Sequence, residues 1–246
     1  MTQLAFGAGA LWGISTATTN PTPVRFGVLQ NAALDFSAST KSLFGSNQLP
    51  VSVARGAVTI SGKAAFAQLT GRLVNDLFFG STMASGQILV SDSESQTIPA
   101  SSPYTVTSTN SSTWTVDLGV VYAATNIPLV RVASSPATGQ YTVAAGIYTF
   151  AVGDEGSPVK ISYQYTATGG DTLTVVNQPM GQATTFKTVL SIPYNNQRAT
   201  FTLNACVASK MSLATVLEDF MKPSFEWNAF VDSSGTLGTI SVAEVS

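Results

Sequence analysis

Histidine is absent from the 246-residue sequence, and cysteine occurs only once. Without histidine, the chain lacks the default general base, the Ser-His-Asp and Cys-His catalytic arrangements and the common zinc sites. A single cysteine also excludes an internal disulfide framework. Cys206 lies within the apolar alternation of TFTLNACVAS, where we interpret it as a small buried hydrophobe and not as a reactive thiol.

Charged residues are scarce as well. They make up 10% of the chain, against about 25% in an average globular protein, and the 11 basic and 13 acidic residues are scattered singly. No basic run is suited to many phosphate contacts, so the sequence predicts no tight grip on nucleic acid. Low charge with abundant Ser, Thr, Ala and Gly is typical of a β-rich structural protein covered by copies of itself, but also of a secreted β-domain with hydroxyl-rich surfaces.

Long hydrophobic runs are missing too. No run reaches the roughly 18 apolar residues of a membrane helix, and the start MTQLAFGAGALWG lacks the basic residues of a secretory signal. We therefore expect a soluble protein made in a cytoplasm, with no membrane insertion. The length allows one large all-β domain or two smaller ones, each with a real core.

The most regular stretch is VSVARGAVTISGKAAFAQ, residues 51–68. One parity carries Arg55, Thr59, Ser61 and Lys63, while the other is apolar or small over residues 54–66. Alternation with period two predicts a β-strand with one wet and one dry face. A length of roughly 15 residues is far above the common strand length of about 5–6. The later segment KPSFEWNAFVD shows the same alternation.

A helix follows this strand directly. Residues Leu69, Leu73, Leu77 and Phe78 have helical spacing and are followed by Gly80, a favourable residue just beyond a helix end, so the sequence predicts a helix over 69–79. The segment MSLATVLEDFM fits either a second helix or a crossing loop.

The remaining composition divides the chain into three parts. Residues 1–23, rich in Gly, Ala and Thr and ending in NPTP, predict an extended N-terminal arm. Residues 86–178 contain short strands with regular turn signals and predict an inserted all-β subdomain. Residues 24–85 and 179–246 form the predicted core, giving a mainly β fold with one flanking helix.

Candidate catalytic and binding groups have simpler structural explanations. The acids Asp117, Asp154, Glu155 and Asp171 include pairs that a glycosidase needs, but Asp154 and Glu155 lie in VGDEGSP, which reads as a hairpin turn. The stretch SDSES lacks the ligand count and glycine of a calcium loop, and GAGALWG lacks the spacing of a dinucleotide site. We predict no catalytic, metal-binding or cofactor-binding residues, no cofactor, and no enzymatic activity.

The aromatic residues of the insert are compatible with a binding function. They either form a sugar-binding platform or fill the core of a small sandwich. The set consists of Tyr104, Trp114, Tyr122, Tyr141, Tyr148, Tyr163 and Tyr165.

Two segments together carry a resemblance to a known family. The first is RFGVLQNAALDFSASTKSLFGSNQLPVSVARGAVTISGKAAFAQLTGRLVNDLFFG, with F-G-x-N-Q-x-P-V-x-V-A-R-G and NDLFFG as its most specific parts. The second is FTLNACVASKMSLATVLEDFMKPSFEWNAFVDSSGTLGTI. Covering somewhat over half of the chain, they resemble the tail tube (major tail) proteins of long-tailed bacteriophages. The segment between them is similar, more loosely, to β-inserts of some members.

The resemblance implies a β-sandwich or barrel core in which six copies form a ring and rings stack into a tube for DNA ejection. The long strand would line the lumen through Arg55, Thr59, Ser61 and Lys63, and its dry face would pack on the subunit core. Acids such as Glu226 would pair with the two cations. The helix would form the ring interface, and the N-terminal arm and a loop would contact the next ring. The residues assigned to the interface helix are Leu69, Leu73, Leu77 and Phe78, and those assigned to the loop are Phe44, Asn47, Gln48 and Pro50.

The same resemblance implies partners and a location. The partners would be further copies of the chain, the tail-tip initiator, the tape-measure protein, the tail terminator protein and, transiently and without specificity, genomic DNA in the lumen. The protein would reside in the virion tail after assembly in the host bacterial cytoplasm, with the insert on the outer wall of the tube.

Two alternatives remain open. One is a secreted or virion-surface glycan-binding β-module that uses the aromatics of the insert. The other is the tube protein of a contractile secretion machine, against which the large insert and the run NQLPVSVARG argue.

Overall fold

A computed structural model describes residues 6–17, 19–195 and 197–242. The described chain is mainly β, with antiparallel pairing in almost every sheet contact and one α-helical segment, as the sequence predicts, besides two short 3-10 turns at Ser111–Thr113 and Val152–Asp154. The strands, in chain order, are β1 Ala10–Ser15, β2 Val24–Arg25, β3 Gly27–Phe44, β4 Pro50–Gln68, β5 Met83–Thr97, β6 Thr105–Thr107, β7 Trp114–Tyr122, β8 Val130–Arg131, β9 Gln140–Ala144, β10 Ile147–Phe150, β11 Pro158–Leu173, β12 Thr185–Tyr194, β13 Gln197–Ser212, β14 Ser224–Phe230 and β15 Gly238–Ser241.

The chain divides into two compact units. Unit 1 consists of Met1–Thr82 and Leu173–Ser246, and unit 2 consists of Met83–Thr172. The insert predicted from the sequence, residues 86–178, shares residues 86–172 with unit 2. The tail 173–178 of the predicted insert belongs to unit 1.

Unit 1 is built on one large sheet with the strand order β2-β1-β12-β13-β14-β4-β3, and β15 pairs with β13. The prediction of an extended arm over residues 1–23 is wrong for β1. This strand pairs with β12 along its whole length, from Ala10 opposite Ser191 to Ser15 opposite Phe186, and Leu11 is fully buried. Residues 1–5 and 18 of the predicted arm lie outside the described residues.

The helical segment lies against the buried face of this sheet. It consists of α1 Gly71–Val74 and a π-helical turn, Asn75–Phe79, so it begins two residues later than predicted. The reason is a cap: the side-chain oxygen of Thr70 accepts a hydrogen bond from the backbone N–H of Leu73 at 3.4 Å. Gly80 follows the segment, as the sequence predicts, and its φ of +63° is the left-handed conformation that glycine adopts readily just beyond a helix end.

Aromatic side chains fill the core of unit 1. Rings of Phe26 and Phe66 meet edge to face with centroids 5.2 Å apart, and Phe225 and Trp227 complete the group from β14. Gly62 of β4 is required here, because a Cβ at this position would overlap the Trp227 indole. The buried cluster comprises Leu11, Val24, Phe26, Ile60, Ala64, Phe66, Leu73, Leu77, Phe186, Leu190, Leu203, Cys206, Phe225 and Trp227.

Unit 2 contains two small sheets, with the strand orders β6-β10-β9-β8 and β5-β11-β7. Their inner faces enclose a second core that is rich in tyrosine. Its buried residues are Ile98, Val106, Val120, Leu129, Tyr141, Tyr148, Phe150, Val159, Ile161 and Tyr163.

Candidate assembly surface

The β3–β4 hairpin extends well beyond the core that its base covers. Its strands contain 18 and 19 residues. On β4, burial alternates only over residues 60–66, where Ile60, Ala64 and Phe66 contribute to the core. Every residue from 35 to 59 is exposed. The prediction that the whole dry face packs on the subunit core is therefore wrong for the distal half, which lies beyond the reach of that core.

The distal half nevertheless has an apolar face. Cross-strand pairs place Phe36 opposite Ile60 and Ala38 opposite Val58. Directly opposed residues of paired strands point to the same side of a sheet, so these four share what we call the apolar face. Phe36 and Val58 each expose 49% of their surface.

The other side of the hairpin is the polar face. It carries Ser37 opposite Thr59, Asp35 opposite Ser61, and Lys63. Thr59, Ser61 and Lys63 thus lie on one face, as their parity predicts. Their assignment to a tube lumen stays a prediction.

Arg55 does not share this face. The register shifts between Ala38 and Thr40: Ala38 pairs with Val58, while Thr40 pairs with Arg55, so β4 holds one extra residue. Such a bulge interrupts the alternation and reverses parity beyond it. A Cβ on Gly56 would point at the Ser39 side chain, which lies on the polar face. Arg55 therefore lies on the apolar face with Val58, and its predicted grouping with Thr59, Ser61 and Lys63 is wrong.

Both long edges of the distal hairpin are open. β3 is the last strand in the order of the large sheet. On the other side, β14 pairs with β4 only from Ile60 to Ala65, which leaves residues 50–59 of β4 paired with β3 alone, without a second neighbouring strand among the described residues. Unpaired backbone N–H and C=O groups along such edges readily pair with another chain.

The predicted ion pairing on the polar face is only partly supported. Glu226 of β14 stands directly opposite both Lys63 of β4 and Lys210 of β13. Within the described ranges, however, charged atoms come within 4.0 Å of each other only in Arg131–Asp117 and Lys222–Asp219. Glu226 is thus a cross-strand neighbour of Lys63 without a close contact. Arg55 has no such neighbour, because it lies on the opposite face.

The helix assigned to the ring interface is largely used inside unit 1. Leu73 and Leu77 are fully buried in the core, and Leu69 and Phe78 pack against it. Leu69 also precedes the helical segment. The interface prediction is therefore wrong for Leu73 and Leu77, because residues without exposed surface cannot contact a neighbouring copy.

The predicted ring-to-ring residues lie together at the hairpin tip. Phe44 and Pro50 end and begin the two long strands, and Asn47 and Gln48 lie in the loop between them. All four are exposed. Their contact with another ring stays a prediction.

No protein-family model matches the chain, and the curated proteins contain no significant match to it. Within the described ranges, helices are too short to cross a membrane. Clusters of three metal-binding side chains are likewise absent from those residues.

The acids of unit 2 hold tyrosine hydroxyls in place. The carboxylate of Asp117 accepts hydrogen bonds from Tyr141 at 2.7 Å and Tyr148 at 3.2 Å. Asp154 accepts one from Tyr122 at 2.5 Å, and Glu94 of the SDSES stretch accepts one from Tyr163 at 2.5 Å. These contacts satisfy polar groups around a small core. Of the other candidate acids, Glu155 and Asp171 are exposed.

The aromatic set of unit 2 does not form one exposed platform. Tyr141, Tyr148 and Tyr163 are buried. Tyr104, Trp114, Tyr122 and Tyr165 are half-buried, and Trp114 donates its indole N–H to the Tyr148 hydroxyl at 3.3 Å. This packing corresponds to the sandwich-core interpretation of the aromatic residues.

The tyrosine contacts predict a stability loss at alkaline pH. Burial raises the pKa of Tyr122 to about 12, with further contributions from the hydrogen bond to Asp154 and its negative charge. Because the folded-state pKa lies above the ordinary value of 10.0, the stabilisation is complete below pH 10 and is lost as pH rises towards 12. We expect the denaturation midpoint of Tyr122→Phe to fall less over this interval than that of the wild type. An equal fall in both proteins would contradict this assignment.

Proposed function

We propose that the protein is a structural virion protein whose copies join through the β3–β4 hairpin into hexameric rings, which stack into the tail tube of a long-tailed phage. The tube conducts DNA from capsid to host. The observation that carries this proposal is the distal hairpin, residues 35–59, which has an apolar face and two open edges that no described residue of its own unit covers.

The open edges support closed assembly of copies. β3 and β4 run antiparallel, so the edge of β3 in one copy suits the edge of residues 50–59 of β4 in the next. Repeating this contact by rotation joins the hairpins into one barrel and removes every open edge of this segment. The two surfaces in contact differ, so the interface is heterologous, and such an interface closes into a ring when the rotation permits.

The polar face supports a lumen that DNA can pass. Thr59 and Ser61 are neutral, and the row across the sheet alternates in charge through Lys63, Glu226 and Lys210. A strip of like positive charges would bind phosphates strongly and slow a passing duplex. We assign Thr59, Ser61 and Lys63 to the lumen, and Arg55 to the face that a neighbouring copy covers.

The remaining parts follow from the same proposal. Unit 2 decorates the outer wall, which suits a flexible tail because decoration obstructs a surrounding sheath. Tail-tip, tape-measure and terminator proteins start, measure and end the tube.

Negative-stain electron microscopy of the purified chain, with light scattering across a concentration series, tests the proposal. We expect rings with sixfold end views and, at high concentration, hollow tubes. Compact monomers at every concentration would overturn it. Monomers that also bind polysaccharide would favour the glycan-binding alternative.

A further inference from the structure

The loop between β13 and β14 is an exposed apolar segment of unit 1. Residues 213–221 include Leu213, Val216, Leu217 and Phe220, of which Leu217 exposes 87% and Phe220 83% of its surface. The sequence of this segment fits either a helix or a loop. The structure shows a loop with one isolated β-bridge between Val216 and Asp219. Exposed apolar clusters of this kind mark interaction sites on soluble proteins.

The apex of the loop is a tight turn whose backbone conformation is unfavourable for the residues that form it. The bridge between Val216 and Asp219 makes Leu217 and Glu218 the two central residues of a tight turn. Glu218 has a φ of +76°, a conformation in which turns normally use Gly or Asn. Local turn preference therefore does not explain the residues Leu-Glu at this apex, and residues that break local rules concentrate at functional positions.

The tip of the β3–β4 hairpin offers a matching depression. Residues 45–49 and Val51 line a groove of about 530 Å³. Leu49 exposes 79% of its surface at this groove, and Val51 and Phe44 are also mostly exposed. The apolar side chains at this groove are Leu49 and Val51, beside the polar residues of the loop, and they match the exposed apolar side chains of the loop apex.

These two surfaces lie at opposite ends of the same strand. Ser224, which follows the loop, pairs with Ala65 of β4, whereas the tip begins at Pro50. Fifteen residues of extended strand span about 50 Å. The loop and the tip of one copy therefore cannot meet, but a second copy displaced along the strand direction brings one against the other.

Charge also differs between the two ends. Lys41 and Arg55 are the only charged residues from 36 to 62. In the loop, Lys222 pairs with Asp219 at 2.7 Å, which leaves the charge of Glu218 at the apex. In the displaced copy, a basic hairpin end thus faces an acidic loop. This charge difference favours a contact between tip and loop over a contact between two tips or between two loops.

We propose that the loop of residues 213–221 in one copy docks into the hairpin-tip groove of the next copy and is the axial contact between rings. This inference rests on the proposed function. The contact is head to tail and does not close, so it propagates into a filament. Leu217 and Phe220 are the side chains that enter the groove, and Leu49 is their main partner.

Disulfide trapping in the full-length chain tests this pairing. Leu49→Cys and Leu217→Cys proteins are mixed, oxidised and separated without reductant. We expect heterodimers from the mixture and chains of increasing length from the double variant. Each single variant alone is expected to form no disulfide-linked dimer. Native Cys206 does not interfere, because it is buried and burial raises the pKa of its thiol to about 11. The matched control is Val175→Cys, an exposed apolar position outside both surfaces.

Microscopy of substitution variants separates this inference from the proposed function. Leu217→Asp is expected to give rings that fail to stack, raising the concentration needed for tubes at least about tenfold. Val175→Asp is expected to form tubes normally. Normal tubes from Leu217→Asp, or trapping of Leu49 only with itself, would overturn the inference and leave the ring proposal standing. Wild-type protein that forms no rings would overturn both.

Discussion

Replacement of Val58 by glutamate is expected to abolish ring formation, whereas replacement of its neighbour Thr59 by glutamate leaves rings intact. Both residues are exposed in the single chain, and they lie on opposite faces of the hairpin. The fold of either variant is therefore expected to match the wild type. Only the apolar face becomes covered by a neighbouring copy in the proposed ring, so only the Val58 variant buries a new charge.

The expected size of this effect is large. Burying an unpaired carboxylate costs several kcal/mol, and loss of the valine removes a further ~1–2 kcal/mol of apolar burial. A ring repeats the contact at each junction, so even a modest cost per contact blocks closure. In contrast, a glutamate at position 59 projects into water on the polar face.

Light scattering and electron microscopy at matched concentrations measure this difference, and circular dichroism checks the fold. Rings from the Val58 variant would show that the apolar face stays open in the assembly. Loss of rings from both variants would show that the hairpin surface is covered on both faces and does not line a lumen.

The long strand and its alternation could be predicted because a period of two is a local property of the sequence. The face of the sheet on which Arg55 lies could not be predicted, because the bulge that decides it depends on the register with β3. Gly56 is the signal that was available, because an isolated glycine inside a strand often marks a bulge. The length of the strand was a second signal: β4 is far longer than the segment that its own core covers.

Strand β1 was missed for a different reason. Its buried side alternates Leu11, Gly13 and Ser15, which is too weak an apolar pattern to indicate a core strand. Gly13 lies on this side because Leu77 of the helical segment occupies the space where its Cβ would be. The sequence of β1 alone does not contain that contact.

In unit 2, a buried polar group makes the alternation of apolar residues a poor guide to which side of a strand faces the core. In WTVDLGVVY, the pattern favours Val116 and Leu118 as the inward residues, yet both are about half exposed. Asp117 points inward instead, with a side chain that is almost fully buried. Its hydrogen bonds with tyrosines from β9 and β10 decide the orientation of the strand, and those partners lie far away in the sequence.

Replacement of Asp117 by alanine is therefore expected to be the most destabilising single change in unit 2. It leaves the buried hydroxyls of Tyr141 and Tyr148 without their acceptor and removes the bond from the Gly119 N–H at 3.1 Å. Each unsatisfied buried group costs about 1–3 kcal/mol, so we expect a loss of about 3–5 kcal/mol. Asp171→Ala is the matched control, because Asp171 is exposed in the same unit.

Hydrogen exchange measured by mass spectrometry on the full-length chain resolves this effect by segment. We expect faster exchange across β7, β9 and β10 in Asp117→Ala, with exchange in unit 1 unchanged. Asp117→Asn is expected to lie between, because the amide oxygen still accepts from one tyrosine while its NH₂ group faces the other. Equal exchange in the Asp117 and Asp171 variants would show that the tyrosines find other acceptors, and the carboxylate would then not be the group that orients β7.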